Sequence, residues 1–444
     1  MTATPATPVG SATPRQIAAL ALPALVVLAA EPLYVLVDTA VVGHLGSVPL
    51  AALAIGGTVM TMAAWIGTLL AYGTTGRAAR QYGAGDRASA VQEGVQASWL
   101  AFAAGVLIAV AVQVFAGPLA RALAGGGSEV AAAAAQWLRI ASFGAPGLLL
   151  AAAGNGWMRG VQDTRRPLAY VLGANLLSAA LCPVLVYSAG LGLEGSAIAN
   201  VVAQTVAGLL FARALFVERV PRRPRPAVIA QQLVVGRDLL VRGAAFQASF
   251  LSATAVAARF GTASVAAHQI GVQLWFLATM VLDAVAIAAQ SLTGAALGAG
   301  SADAARRLGR RIGVAGLVCG AAFAVLALAG GGVVPGWFTD DPAVVDAAGV
   351  LWPWLVALMV PGGLLFALDG MLIGAGDVRF MRNLTIVAAL GFFLPAIWLA
   401  YAFDLGLAGV WAGLFLFIAA RLVGMLLRMR SGRWAVVGAV RAAP

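Results

Sequence analysis

Four carboxylates, Glu31, Asp38, Asp283 and Asp369, fall within stretches otherwise apolar enough to cross a bilayer. A charge at the bilayer centre costs ~2.5–3.5 kcal/mol on insertion scales, so an acid kept there is either paired or used. Asp38 follows Pro32 by six residues. A proline frees a backbone carbonyl and can kink a helix. A carboxylate at such a kink could take a proton from the outside and release it to the inside; the alternative is an acid near a helix end that reaches water. Glu31 lies about two turns earlier. It could be a second proton site, a partner of Asp38, or one half of an ion pair with Arg139 or Arg421. Asp283 lies midway along its segment, which suggests an interior polar pocket or a pair with a spanning arginine. Asp369 heads Asp369-Gly370 near a segment end, where a functional role and helix-end packing fit equally.

Amides share the same apolar stretches. Asn155, Asn175, Asn200, Gln204, Gln273 and Gln290 are candidates to line a substrate cavity, with Gln247 and Gln269 beside them. Each could equally be ordinary glue between helices. Trp275 and Phe276, beside Gln273, could stack on an aromatic or cationic substrate or simply pack. His268 reads as a satisfied cap rather than a proton shuttle. Cys182 and Cys319 sit in apolar runs and read as small core residues. No phosphate loop, HExxH, paired CxxC or nucleophile elbow is present, so neither ATP hydrolysis nor enzymatic catalysis is expected. Energy must then come from an ion gradient. No cofactor or metal is expected, with H⁺ as the coupling ion and Na⁺ as the alternative.

The elements that must position these groups are membrane helices. Of 444 residues, 61% are hydrophobic and 10% charged, against about 25% charged in a soluble domain. Mean hydropathy is +0.93. No soluble core hides that much apolar surface. Composition thus excludes a soluble enzyme, a disordered chain and a nucleic-acid binder, despite a net charge of +11. A helix needs about 20 apolar residues to cross the hydrocarbon. Twelve segments qualify, at roughly 16–42, 49–73, 91–115, 130–153, 167–188, 195–217, 239–258, 266–294, 312–334, 345–367, 383–402 and 407–427. All 28 basic residues are arginine. With the N-terminus inside, 24 of them fall in cytoplasmic segments and two, Arg121 and Arg259, outside; Arg139 and Arg421 fall within spans. That asymmetry is a strong positive-inside signal and sets both termini in the cytoplasm. The expected location is the bacterial inner membrane.

The expected organisation is a disordered tail over 1–14 with no cleaved signal, an N-lobe over 15–217, a cytoplasmic Pro/Arg-rich linker over 218–236, a C-lobe over 237–428 and a cytoplasmic tail over 429–444. The fold class is all-α, with twelve transmembrane helices in two six-helix lobes. The lobes resemble each other in sequence. At an offset of 215, Thr39–Ser47 aligns with Thr254–Thr262, and Gly83-Ala84-Gly85 with Gly298-Ala299-Gly300. At 214, Gly160–Arg165 aligns with Gly374–Arg379, and Leu191-Gly192-Leu193 with Leu405-Gly406-Leu407. An even number of spans per half makes this a parallel repeat, with a substrate path expected between the lobes. Asp163 and Asp377 occur in both halves and read as helix-end caps or local ion pairs. The four intramembrane acids do not: Ala253, Thr68, Asn155 and Phe246 stand at the positions matching Asp38, Asp283, Asp369 and Glu31. A duplicated scaffold needs no acid in only one half, so the asymmetry points to function.

The chain resembles the multidrug and toxic compound extrusion (MATE) family, and its DinF-like branch most. The resemblance rests on Glu31–Gly46, Ala266–Ile270, Asp283–Gln290 and Asp369-Gly370, within a match running from Arg15 to Arg428. It implies lobe-rocking antiport of amphipathic, often cationic organic molecules against H⁺ or Na⁺. Asp38 matches the first-helix aspartate that family members use for proton coupling. Positions holding an Asn and an Asp in some relatives read Ser178 and Cys182, which argues against a multi-residue ion site there. The seventh-helix glutamate of norfloxacin-type members is absent between Leu239 and Ala258. Partners are then small organic substrates and the lipid bilayer, with no nucleic acid and a functional monomer. A lipid-linked precursor flippase is the less favoured alternative.

Overall fold

The computed structural model describes residues Thr13 to Val440 and is all-helical among them. Its twelve long apolar helices are α1 (Pro14–Gly43), α2 (Ser47–Gly83), α3 (Arg87–Leu123), α4 (Ser128–Gly160), α5 (Arg165–Ser188) and α6 (Gly192–Val217), followed by α7 (Pro226–Arg259), α8 (Thr262–Gly298), α9 (Ala302–Gly330), α10 (Pro342–Gly374), α11 (Val378–Ala402) and α12 (Gly406–Arg430). Most of the expected N-terminal tail lies outside the described residues, but Pro14 already begins α1. That helix runs unbroken through Pro32. Several arginines assigned to loops, among them Arg77, Arg80 and Arg159, stand instead on the last turns of α2 and α4. Cationic side chains suit that end of a helix, where carbonyls lack partners.

Contacts group the chain into two compact units. One is Val26–Gly236; the other is Arg237 onward together with the start of α1 up to Leu25. The boundary falls inside α7, because helix resumes at Pro226, where a proline suits the first turn. The segment expected to be an irregular linker to 236 is therefore irregular only around Val220–Arg225. It is also tied down. Gln96 of α3 donates to the Arg223 carbonyl at 3.1 Å and accepts from the Arg225 amide at 2.6 Å, while the Trp99 indole donates to the Arg222 carbonyl at 2.8 Å. The far tail behaves similarly: Trp434 is buried, and the Gly438 amide donates to the Leu297 carbonyl at 2.9 Å.

In the Val26–Gly236 unit α4 packs most closely on α2, α3 and α6; in the other, α10 does so on α8, α9 and α12. The same backbone contacts recur. Gly156 of α4 lies against the Ala71 carbonyl of α2, and Gly370 of α10 lies against the Ala286 carbonyl of α8. Only a residue without a side chain permits that approach, the usual way membrane helices gain close packing. Turns repeat as well: Gly46 and Gly261 have φ of 124° and 104° before α2 and α8, and Gln162 and Gly376 have φ of 63° and 70° after α4 and α10. The offsets of 214 and 215 read from sequence are thus built into the backbone.

Candidate functional site

Asp38 is 5% exposed on α1. Tyr34, one turn earlier on the same face, is also buried. The Cys182 thiol of α5 donates to Asp38 Oδ1 at 3.1 Å, and the hydroxyls of Ser196 (α6) and Tyr34 face the same carboxyl. Asn200 Nδ2 of α6 donates to the Tyr34 hydroxyl at 3.3 Å, with Ser178 close by. The Trp137 indole of α4 reaches Ser196 Oγ at 3.3 Å. Around this cluster Cys182, Val186 and Ala199 pack with Val41 and Leu185 in an apolar layer. The helix that carries Cys182 reaches Pro183 and then widens into a π-helical turn over Val184–Ser188. Such turns concentrate at functional sites. Reading Cys182 as a plain core residue is therefore corrected: it is the direct hydrogen-bond partner of the buried carboxyl.

Every partner of Asp38 is neutral. Asp369 is the opposite case. Arg242 of α7 meets both its carboxylate oxygens at 2.6 Å, and Arg421 of α12 donates to Oδ1 at 3.0 Å. Arg242 was assigned to the cytoplasm, yet its side chain is 11% exposed and locked in this triad. The α7 helix continues well before Arg242, which draws it into the packed unit. Asp369 is thus an ion-paired group rather than an open cavity carboxylate. Arg421 is correspondingly committed to Asp369, and Glu31 makes no ion pair among the described residues with either Arg421 or Arg139. Glu31 is exposed, although it shares the α1 stripe of Tyr34 and Asp38.

The remaining candidates are dispersed. Asp283 is half-buried on α8 and engaged in an interaction of its own. Trp275 lines an apolar cavity with Phe250, Trp411 and Phe417, while Gln273 is exposed and Gln290 buried. Asn155, Asn175 and Gln204 are half-buried on α4, α5 and α6, with no hydrogen bond to the Asp38 cluster; Asn155 Oδ1 is buried without a partner. His268, expected to be a satisfied cap, is fully buried with neither ring nitrogen partnered, its ring edge-on to Trp411 at 5.9 Å. Asp163 does pair locally, with Arg166 at 3.3 Å, but Asp377 reaches across to Arg428 at 2.7 Å.

Sequence reading missed Tyr34, Ser196 and Arg242. Tyr34 carried a signal, its four-residue spacing from Asp38; the other two are joined to the site only by folding. Sequence reading also missed Glu93, buried on α3 and held by Arg77 through two 2.8 Å bonds and by Gln232 at 3.0 Å.

Twelve helices long and apolar enough to cross a membrane, in two repeated units of which one secludes a carboxyl, have the build of a multi-pass membrane transporter. The MatE family model matches twice, once in each half, at residues 23–184 and 239–401. The chain is 33% identical to the chloroplastic protein DETOXIFICATION 44 of Arabidopsis thaliana, over 94% of this chain and 83% of that one. It is 32% identical to the DNA damage-inducible protein F of Escherichia coli K12, over 94% and 92%. A solved MOP superfamily transporter from Pyrococcus furiosus shares its fold at a TM-score of 0.85 and 23% identity, over 98% of this chain and 99% of that one. The chain belongs to the MATE family, on its DinF-like branch.

Proposed function

We propose that the protein is a proton-coupled exporter of amphipathic, often cationic small organic molecules, working by alternating access of its two halves in a bacterial inner membrane. Names of relatives speak of detoxification and multidrug resistance, which supports export as the direction. The observation that carries the coupling ion is the neutrality of everything around Asp38. A carboxyl held only by a thiol, hydroxyls and apolar side chains can be neutralised by a proton without stranding a cation. A thiol is also a poor ligand for a hard cation, which favours H⁺ over Na⁺. Glu31, exposed on the same stripe two turns away, is a relay candidate; the half-buried amides Asn155, Asn175, Asn200 and Gln204 remain candidates for the substrate route.

The test is ethidium efflux from reconstituted vesicles under an imposed H⁺ or Na⁺ gradient. Efflux should follow the H⁺ gradient, and Asp38→Asn should lower it at least about a hundredfold, the lower end of what one positioned proton-transfer group contributes. Full H⁺-driven efflux in Asp38→Asn, or efflux driven by Na⁺ alone, would defeat the reading.

A further inference from the structure

Helices α3 and α9 start at matching points of the repeat but meet different surroundings. At the offset of 215, Arg87 of α3 falls on Ala302 of α9, the first residue of each helix. Val91, Gln92, Val95 and Gln96 then stand where α9 has Arg306, Arg307, Arg310 and Arg311. On α3 this side is covered. Val91, Val95 and Gln96 are buried, Gln96 and Trp99 hold the backbone of the Pro/Arg segment, and Gln232 of α7 donates to the Glu93 carbonyl at 3.0 Å. On α9 the matching side is open, and all four arginines are exposed. The duplicated helix exists in the first unit without them, so the helix itself does not require them.

The four arginines form one patch. Each residue turns a helix by about 100°, so positions 306, 307, 310 and 311 span about 140° of α9. Ala305, Leu308, Gly309 and Ile312 are buried on the opposite side, where α9 packs on α10 and α8. Asp303 pairs with Arg306 at 3.0 Å, but both are exposed and such a surface pair is weak. Gly432 of the tail lies against the Arg306 guanidinium, and Arg433 beside it is also exposed. From Ile312 to Gly330 the helix carries no charge. That stretch is about 28 Å long and matches the hydrocarbon thickness, which sets the patch at the level of the headgroups. Along the same outward side, Val314, Leu317, Val318 and Val325 are exposed.

Cations that adjoin an outward apolar stripe fit a phosphate carried on acyl chains. Guanidiniums match phosphate oxygens in geometry as well as charge. A second copy of this chain would bring like charge to the patch, and residues 1–12 and 441–444 contain no acid. We propose that the start of α9 is a binding site for an anionic phospholipid of the leaflet it meets. Arg306, Arg307, Arg310 and Arg311 receive the headgroup phosphate, and the Val314–Leu317–Val318 side receives the acyl chains. The place that the first unit fills with the chain's own linker is filled in the second by lipid.

Native mass spectrometry of the purified protein in detergent tests this, with equimolar phosphatidylglycerol and phosphatidylethanolamine of the same acyl chains. No ion gradient is present, so the outcome is independent of coupling at Asp38. Phosphatidylglycerol should be retained at least about tenfold in preference. Arg307→Gln with Arg310→Gln changes exposed positions only and should stay monodisperse. It should nonetheless bind phosphatidylglycerol at least about tenfold more weakly, since one basic residue near an anionic headgroup contributes roughly fivefold. Arg222→Gln with Arg223→Gln, in the equally basic linker, should leave binding unchanged. Inorganic phosphate at the lipid's concentration should not displace it, because it lacks the chains. Absence of a preference for phosphatidylglycerol, unchanged binding in the α9 variant, equal losses in the two variants, or displacement by inorganic phosphate would each overturn the proposal.

Discussion

Two aspartates in membrane helices, Asp38 and Asp369, have opposite surroundings. Asp38 is held by neutral groups alone, whereas Asp369 is clamped by two arginines. The difference predicts different failures. Replacing Asp38 should spare the fold and stop coupling. Asp369→Ala should instead leave two buried guanidiniums facing one another and cost about 3–5 kcal/mol, the range for breaking a buried pair. It should appear as a marked fall in the midpoint of thermal unfolding followed by size-exclusion chromatography. Adding Arg421→Gln to Asp369→Ala removes one stranded cation and should recover part of the loss, a coupling that a double-mutant cycle measures. No recovery would mean that the triad is not the source of the cost.

At the level of helices, glycine decides how closely the elements approach. Gly370 meets the Ala286 carbonyl as Gly156 meets that of Ala71, each at the interface of the most heavily packed helix of its unit. A β-branched side chain there must push two helix backbones apart. Gly370→Val and Gly156→Val should each destabilise by about 1–3 kcal/mol or more, the usual cost of overpacking. Gly57→Val, where a Cβ meets open space, should differ little. The yield and unfolding midpoint of the purified variants report this. Equal loss at all three positions would show that close backbone packing at Gly156 and Gly370 does not set the cost.

For the whole molecule, the join between its halves is informative. The Pro/Arg segment is exposed over Pro221–Pro226, yet α3 holds its backbone through Gln96 and Trp99. Trypsin should cut after Arg222, because the bonds after Arg223 and Arg225 precede prolines. Cutting should occur in inverted vesicles and not in right-side-out ones, as the arginine distribution requires. Trp99→Phe removes the indole donor and should speed that cut, since nicking follows backbone release. Cleavage from the outer face would reverse the assigned orientation.

How much of this was legible without folding depends on the range of the interaction concerned. The sequence alone determined the twelve spans, the two halves and their offset, because hydropathy and repeat spacing are properties of consecutive residues. It also singled out Asp38, because a carboxylate in an apolar run is costly wherever the chain goes. Its neighbours were another matter. Cys182 and Ser196 are more than 140 residues from Asp38, and Arg242 is 127 from Asp369. No periodicity links such pairs, so only helix packing could decide that one acid is surrounded by neutral groups and the other by two cations. That decision separates the two carboxyls: charge balance inside a low-dielectric core is a sum over everything nearby in space, and tertiary structure alone fixes what is near.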